Sequence, residues 1–241
     1  MDSQSEMLWE FMAAKGIKNF SIVAHDQGGA AVQIMMANRP EQIVSVVLTD
    51  CVCYDNWPVP VIARYQTLAR IPFLAEMATS LGLMEKVENN RFLSAYGRGV
   101  YRKGAFSKES IHEYLRPLTE GDGPRDRFLN FLRAGTNRST MRVVKDLKKF
   151  QKPTMIIWAA EDYYIRVSWG KKLFEDIPGA ERFELIPFCG HFWQEERPAE
   201  FASLMGEFLA QHTKTAAKGV VKELETKTIE SNPGEVRELS C

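Results

Sequence analysis

The sequence predicts the α/β class, with a mostly parallel sheet that carries helices on both faces and is interrupted by a long helical insertion. Short, continuously apolar runs such as Phe20–Ala24 and Ile43–Thr49 alternate with segments of helical periodicity. Such runs are typical of parallel strands that are buried on both faces. Between residues 57 and 150 the helical pattern continues without a convincing strand, which predicts the insertion.

The first half of the predicted sheet precedes this insertion. A helix in SEMLWEFMAAKG ends at Gly16, which is a good C-terminal cap. The strand Phe20–Ala24 comes next, and the segment AAVQIMMANRP then predicts a helix that Pro40 ends. The strand Ile43–Thr49 completes this half.

The second half of the sheet follows the insertion. We predict strands at Thr154–Ala160 and Arg182–Ile186, a helix in VSWGKKLFEDI between them, and a final helix at Ala199–His212. A tail poor in apolar residues is predicted to be disordered or loosely docked. The predicted divisions are core at residues 1–56, helical cap at 57–150, core at 151–212 and tail at 213–241.

Composition and charge argue against several classes of function. Lys plus Arg and Asp plus Glu both number 31, so the formal net charge is zero, and nothing favours binding to nucleic acid or to an anionic membrane. Four cysteines without a CxxC pair predict neither a disulfide framework nor a zinc site. The acidic N-terminal stretch has no signal-peptide core, and no apolar run reaches membrane-spanning length. We therefore predict a cytoplasmic protein without a membrane span, cofactor or metal.

The stretch AHDQGG places a carboxylate, Asp26, between a strand and a helix. A nucleophile elbow is a sharp turn between a strand and a helix. The nucleophile at this turn has a small residue two positions before it and a glycine two positions after it. We expect the small residues Ala24 and Gly28 to allow the sharp turn that projects the Asp26 side chain from the carboxyl edge of the sheet. By itself this stretch leaves a second reading open, in which Asp26 caps the following helix.

Two more polar residues follow predicted strands. Asp162 comes just after the strand in IIWAAEDYYI, and His191 lies in the loop after LIP. The carboxyl ends of parallel strands share one edge, so both side chains can converge on the edge that carries Asp26. The chain order of nucleophile, acid and histidine is that of α/β-hydrolase triads.

With these motifs the chain resembles the α/β-hydrolase fold superfamily, and within it the branch with an aspartate nucleophile. HDQGG is similar to the GHDxGG elbow of epoxide hydrolases and haloalkane dehalogenases. The C-terminal half is similar to theirs through the strand, the acid, the IPGA turn and the GHF histidine loop. The resemblance covers roughly Ser5 to Leu209, and residues 57–150 match the helical cap in position only.

The resemblance implies hydrolysis of a small apolar organic substrate through a covalent ester. Asp26, whose ordinary pKa is about 3.9, would attack an electrophilic carbon, and His191 would activate water against the ester. Asp162 would orient His191. The backbone N–H of Gln27 would supply half of an oxyanion hole.

The leaving group remains open between an epoxide oxygen and a halide. Epoxide hydrolases place cap tyrosines near the leaving oxygen, and dehalogenases place Trp where this chain has Gln27. We favour epoxide chemistry, although most epoxide hydrolases also carry Trp at that position. The candidate leaving-group residues, each of which is also a plausible packing residue, are Tyr65, Tyr96, Tyr101, Tyr114 and Trp57.

Compared with the superfamily, the predicted sheet is short. The first four strands of the family and its HG-type oxyanion loop have no counterpart here, so we expect Phe20–Ala24 to be an edge strand. We interpret Met1 as an internal start, and the chain as a truncated gene model, an alternative transcript or a degenerate copy. The alternative of another class is a non-catalytic remnant that acts as an interaction module. The oligomeric state is left open.

Overall fold

A single sheet of four parallel strands organises the protein. The computed structural model describes residues 1–71, 73, 87–88, 90, 94–119 and 123–213. The sheet has the order β1-β2-β3-β4, and all three strand pairs are parallel. The strands are β1 (Phe20–His25), β2 (Ile43–Cys51), β3 (Thr154–Ala159) and β4 (Ala180–Ile186).

Helices connect the strands in the predicted order. The helices α1 (Asp2–Ala14) and α2 (Asp26–Asn38) precede β2, with a short 3₁₀ turn at Pro40–Gln42. After β3 come α8 (Val167–Asp176), the one-turn α9 (Trp193–Glu196) and α10, which the structure describes over residues 198–213. The predicted α/β class is confirmed, and β1 lies at one edge of the described sheet.

Successive residues of the central strands supply opposite faces of the sheet. Leu48 and Ile156 belong to the core on the α2 and α8 face. Their neighbours Val47 and Ile157 belong to the core that packs against α9 and α10. This alternation with a period of two is what a strand imposes on its side chains. Apolar burial on both faces explains why the two strands read as continuous apolar runs.

The segment between β2 and β3 is helical wherever the structure describes it. Its helices α3 (Pro60–Ala69) and α6 (Pro124–Ala134) share a small apolar cluster that includes Ala69, Leu129 and Leu132. The predicted absence of strands holds for the described residues of this segment. The helices are α3 (Pro60–Ala69), α4 (Ala95–Arg98), α5 (Lys108–Thr119), α6 (Pro124–Ala134) and α7 (Arg138–Leu147).

Two sequence predictions reach beyond the described part of the chain. The predicted tail at 213–241 lies outside the described residues except for Thr213, which is the last described residue of α10. The helical cap also includes residues outside them. Among the helices that the structure describes, none has both the length and the apolar character needed to cross a bilayer.

Two helical glycines provide a matched test of packing on the sheet. A Cβ on Gly170 of α8 would lie 2.4 Å from the ring of the fully buried Trp158, whereas a Cβ on Gly206 of α10 would meet nothing within 4 Å. We expect Gly170→Ala to lower the free energy of unfolding by about 1–3 kcal/mol through overpacking. Gly206→Ala should raise it by up to about 1 kcal/mol, because alanine favours a helix. Urea denaturation measures both, and equal effects would contradict this packing.

Candidate active site

The turn between β1 and α2 has the geometry of a nucleophile elbow. Asp26 has a φ of 49°, a left-handed conformation that costs a non-glycine residue energy and is common at functional sites. The carbonyl of Asp26 accepts a hydrogen bond from Val52 N at 3.0 Å, which ties the elbow to the end of β2. The Asp26 side chain is 35% exposed, so a substrate can reach it.

The glycine that the elbow requires is Gly29. A Cβ there would lie 2.0 Å from Cys51 Sγ, whereas a Cβ on Gly28 would meet nothing within 4 Å. Our assignment of the small-residue requirement to Gly28 was therefore wrong. The requirement arises because α2 crosses the end of β2 closely.

The structure brings Asp26, Asp162 and His191 together at the carboxyl edge of the sheet. Nδ1 of His191 lies 2.9 Å from Oδ2 of Asp162, which is hydrogen-bond distance. Nε2 of His191 points toward Oδ1 of Asp26 at 3.9 Å, beyond a direct hydrogen bond. The His191 side chain is 4% exposed and that of Asp162 is fully buried. One imidazole thus lies between two carboxylates that come from different strand ends.

Backbone donors orient the carboxylate of Asp162. Its Oδ1 accepts hydrogen bonds from Tyr164 N at 2.7 Å and Ile165 N at 2.9 Å. These two bonds leave Oδ2 for His191. These contacts hold the Asp162 carboxylate in one orientation toward His191.

Aromatic rings enclose His191. Its carbonyl lies 2.8 Å from Nε2 of His25. Ring centroids of His25, Phe192 and Tyr164 lie 4.6, 4.8 and 5.4 Å from that of His191. Burial and the neighbouring His191 lower the pKa of His25 to about 3, so His25 is neutral and acts as a hydrogen-bond donor to the histidine loop.

Opposing effects set the protonation of the site. Burial by itself lowers the pKa of His191, but the carboxylates of Asp162 and then Asp26 raise it to about 9. The Asp26 side chain is only partly buried, and this burial raises its pKa, while both His191 and a hydrogen bond from the Gln27 backbone oppose that rise. The imidazole is therefore protonated at neutral pH.

A buried carboxylate joins the histidine loop to the helical insertion. Glu196 Oε1 accepts from Gly190 N at 2.7 Å and from Tyr101 N at 3.0 Å, and Oε2 accepts from Arg102 N at 2.6 Å. The backbones of the histidine loop and the insertion are also hydrogen-bonded, since Phe192 N donates to Gly99 O at 3.2 Å. This arrangement holds His191 and the insertion in one unit.

The predicted leaving-group residues lie at different distances from His191. Tyr96 packs on Phe192 at 5.5 Å between centroids, one ring away from His191. Tyr114 donates its hydroxyl to Glu195 at 2.7 Å. Tyr101 is half exposed and packs against Phe188.

The other predicted candidates occupy different surroundings. Trp57 is buried in the core on the α2 face. Tyr65 is 38% exposed on α3 and lies close enough to contribute to the raised pKa of Tyr164. Gln27 is the second residue of α2, and its backbone N–H faces the Asp26 carboxylate.

Sequence reasoning missed three side chains around the site. Tyr164 and Phe192 contact the His191 ring, and Asp50 lies buried beside it. Asp50 follows an apolar run in VVLTDC, and the strand-end rule that identified Asp162 would also have identified it. The aromatic contacts carry no comparable signal in the sequence.

Metal binding can be considered for one cluster among the described residues. Donor atoms of Asp50, Asp162 and His191 lie within 4.8 Å of one another. Two of these donor atoms, Nδ1 of His191 and Oδ2 of Asp162, already face each other across a 2.9 Å hydrogen bond. The expectation of a metal-free site stays a prediction.

The fold and the elbow define an α/β-hydrolase. Residues 5–204 match the model of the Alpha/beta hydrolase family. The chain belongs to that family.

Similar proteins support the superfamily rather than the narrower branch. The chain is 31% identical over 224 residues to the human Monoacylglycerol lipase ABHD6, covering 87% of this chain and 61% of that protein. It is 23% identical to a 2-hydroxy-6-oxononadienedioate/2-hydroxy-6-oxononatrienedioate hydrolase of Pseudomonas sp, covering 81% and 65%. The crystal structure of Cfl2 from Burkholderia cenocepacia superposes with a TM-score of 0.67 at 21% identity, covering 86% of this chain and 72% of that one.

None of these three relatives is named as an epoxide hydrolase or a dehalogenase. They therefore do not support the resemblance to the aspartate-nucleophile branch. The chain spans less than two thirds of the length of both curated relatives.

The carboxylate clamp at Glu196 leads to a stability prediction. In Glu196→Gln the amide NH₂ would face at least one backbone N–H, so we expect the free energy of unfolding to fall by about 1–3 kcal/mol. Glu195→Gln is the matched control, because its remaining oxygen can still accept the hydroxyl of Tyr114. Urea denaturation compares the two, and an equal loss in both variants would contradict the clamp.

The raised pKa of His191 leads to a pH prediction. The folded chain binds this proton more tightly (pKa about 9) than the ordinary value of 6.5 allows. The resulting stabilisation is complete below pH 6.5 and is lost as the pH rises through about 9. We expect the urea midpoint of the wild type to fall across that window more steeply than that of His191→Gln. Parallel pH profiles would show that His191 is not responsible.

Proposed function

We propose that this chain is a hydrolase that uses Asp26 as a nucleophile and forms an ester between substrate and enzyme. The carrying observation is the carboxylate at the elbow, 3.9 Å from Nε2 of His191. The other ring nitrogen of His191 is hydrogen-bonded to Asp162. We further propose that residues 57–150 act as a helical cap over the site.

In the first step an Asp26 oxygen attacks an electrophilic carbon of the substrate. A carbon–oxygen bond forms to Asp26, and the bond from that carbon to the leaving group breaks with its electron pair. A carboxylate needs no base to activate it, in contrast to the hydroxyl of a serine. The exposed fraction of Asp26 supplies the access that attack requires.

In the second step His191 removes a proton from water, and the water oxygen attacks the carbonyl carbon of the ester. The bond between the carbonyl carbon and the substrate oxygen then breaks, the departing alkoxide takes the proton from His191 and leaves as the product alcohol, and Asp26 keeps the oxygen that came from water. Esterification neutralises Asp26, one of the carboxylates that raise the pKa of His191. The pKa of His191 therefore falls in the intermediate, so the imidazolium releases its proton to the solvent and the neutral imidazole can act as the base.

Among the leaving groups we favour an epoxide oxygen. That oxygen needs a proton donor, and the hydroxyl of Tyr96 is the candidate donor. Tyr96 is separated from His191 by the ring of Phe192. Burial, with a contribution from Glu88, raises its pKa to about 12, so its hydroxyl stays protonated at neutral pH. A halide would instead need hydrogen-bond donors such as Trp, and Gln27 stands where dehalogenases place one.

Hydrolysis of a carboxylic ester is a second candidate. The observation in its favour is the 31% identity to a protein named as a monoacylglycerol lipase. Attack by Asp26 on an ester carbonyl would produce an acyl anhydride with the enzyme rather than an alkyl ester. The two intermediates differ in mass and in their sensitivity to hydroxylamine.

Trapping of the intermediate tests the proposal. We expect His191→Gln to accumulate an alkyl adduct on the peptide that contains Asp26 after exposure to styrene oxide, because step one does not need His191. Mass spectrometry of the digested protein locates the adduct. In Asp26→Asn the adduct should be absent, and turnover should fall by a factor of about 10⁴ or more.

The same experiment separates the alternatives. A parallel arm with 1-chlorohexane tests halide displacement, and one with a monoacylglycerol tests acyl transfer. An adduct on a residue other than Asp26 would refute the assignment of the nucleophile. If all three probes leave the His191→Gln protein unmodified, the proposal fails and a non-catalytic role is favoured.

A further inference from the structure

A second acidic side chain, Asp50, lies beside the pair formed by Asp162 and His191. It stands near the end of β2 with a φ of 46° and is fully buried. Its Oδ1 accepts from Ala159 N at 3.0 Å, and its Oδ2 accepts from the Thr49 hydroxyl at 2.7 Å. The Thr49 oxygen in turn accepts from the indole of Trp193 at 2.8 Å. These contacts leave Asp50 one defined position.

The two carboxyl groups are close enough to affect each other's ionisation. Ligand atoms of Asp50, Asp162 and His191 all lie within 4.8 Å of one another. Two buried carboxylates at that separation repel each other in a medium of low dielectric constant, and one protonated imidazole balances only one of them. The arrangement therefore favours one proton on the carboxyl pair.

The hydrogen bonds indicate which group carries that proton at rest. Asp162 faces three N–H groups, those of Tyr164, Ile165 and His191. Asp50 accepts from one N–H and one neutral hydroxyl. More donors stabilise charge better, so the charge belongs on Asp162. Burial and then the charge of Asp162 raise the pKa of Asp50 well above its ordinary value, against a smaller opposing effect of His191.

We propose that Asp50 is a positioning residue that shares one proton with Asp162, so that this pair of carboxyl groups presents His191 with one negative charge instead of two. If Asp162 loses its charge, the proton leaves Asp50, and Asp50 becomes the counter-charge of His191. The consequence for turnover rests on the proposed function, because His191 acts there as the base. The shared proton itself does not rest on the proposed function.

The charged groups around Asp50 come from several elements. Asp162 follows β3, and His191 lies in the loop after β4. On its own strand Cys51 is adjacent, and the elbow residue Asp26 pairs with Cys51. Burial raises the pKa of the Cys51 thiol well above its ordinary value, so Cys51 stays neutral. The charges that affect Asp50 are therefore those of His191, Asp162 and Asp26.

The experiment is an NMR titration of His191 in the full chain. The imidazole nitrogen signals of uniformly nitrogen-15-labelled protein are followed against pH in the wild type, Asp50→Asn, Asp162→Asn and the double variant. Loss of a signal in His191→Gln assigns His191 among the four histidines. Asp176→Asn, which removes a carboxylate bonded to Tyr54 elsewhere on the sheet face, is the control and should leave the titration unchanged.

The shared proton predicts a non-additive double-mutant cycle. Asp50→Asn should shift the pKa of His191 by less than about 0.5 unit in the wild-type background, where Asp50 is already neutral. In the Asp162→Asn background it should lower that pKa by about 1–2 units, because Asp50 is charged there. The two shifts would be equal if each group ionised independently.

Equal shifts in the two backgrounds, or a larger shift in the wild-type background, would overturn the proposal. Near-UV circular dichroism of each variant confirms that the fold is retained, and Asp50→Glu provides a second variant that keeps the ionisable group. The titration needs no substrate. A failure of the trapping experiment alongside a non-additive titration would therefore reject the proposed function and leave the shared proton standing.

Discussion

The carboxyl edge of a four-stranded parallel sheet is the constraint on which the rest of this protein depends. In parallel strands every chain segment leaves the sheet at the same edge, so residues far apart in sequence meet there. Asp26 and Asp162 follow β1 and β3, and His191 follows β4. The 2.9 Å hydrogen bond between His191 and Asp162 exists because β3 and β4 are paired in parallel register.

Burial of charge is the second consequence of this edge. Several carboxyl groups surround one imidazole, and their combined effect raises the pKa of His191 to about 9 despite its burial. A site of this kind is stable only if the charges compensate one another or a carboxyl group keeps its proton. In the proposed shared proton, the smaller number of backbone donors at Asp50 than at Asp162 assigns the proton to Asp50.

The sequence predicted the four strands along the chain and the three central side chains for a physical reason. Continuous apolar runs mark buried parallel strands, and a polar residue directly after such a run lies at a known edge. The same rule applies to Asp50, which directly follows the strand predicted at Ile43–Thr49. The steric need for glycine at position 29 was misassigned to Gly28, since it depends on how closely α2 approaches Cys51.

Other features depend on contacts that sequence separation conceals. The Glu196 clamp joins residues that are 94 and 95 positions apart, and no local pattern announces it. Four tyrosines in the insertion were equivalent as sequence candidates, and only the packing of Tyr96 against Phe192 places one of them close to His191. Helical periodicity predicts a helix and its apolar face, but not which element that face meets.

A single-turnover reaction in oxygen-18 water tests the central claim, covalent catalysis by Asp26, most directly. With the wild-type chain in excess over styrene oxide, the account predicts a first-turnover diol without label from the solvent. The label should appear instead in the peptide that contains Asp26, because water attacks the ester carbonyl and the water oxygen stays on the carboxylate. A labelled diol together with an unlabelled Asp26 peptide would show direct attack of water on the substrate and would contradict the account.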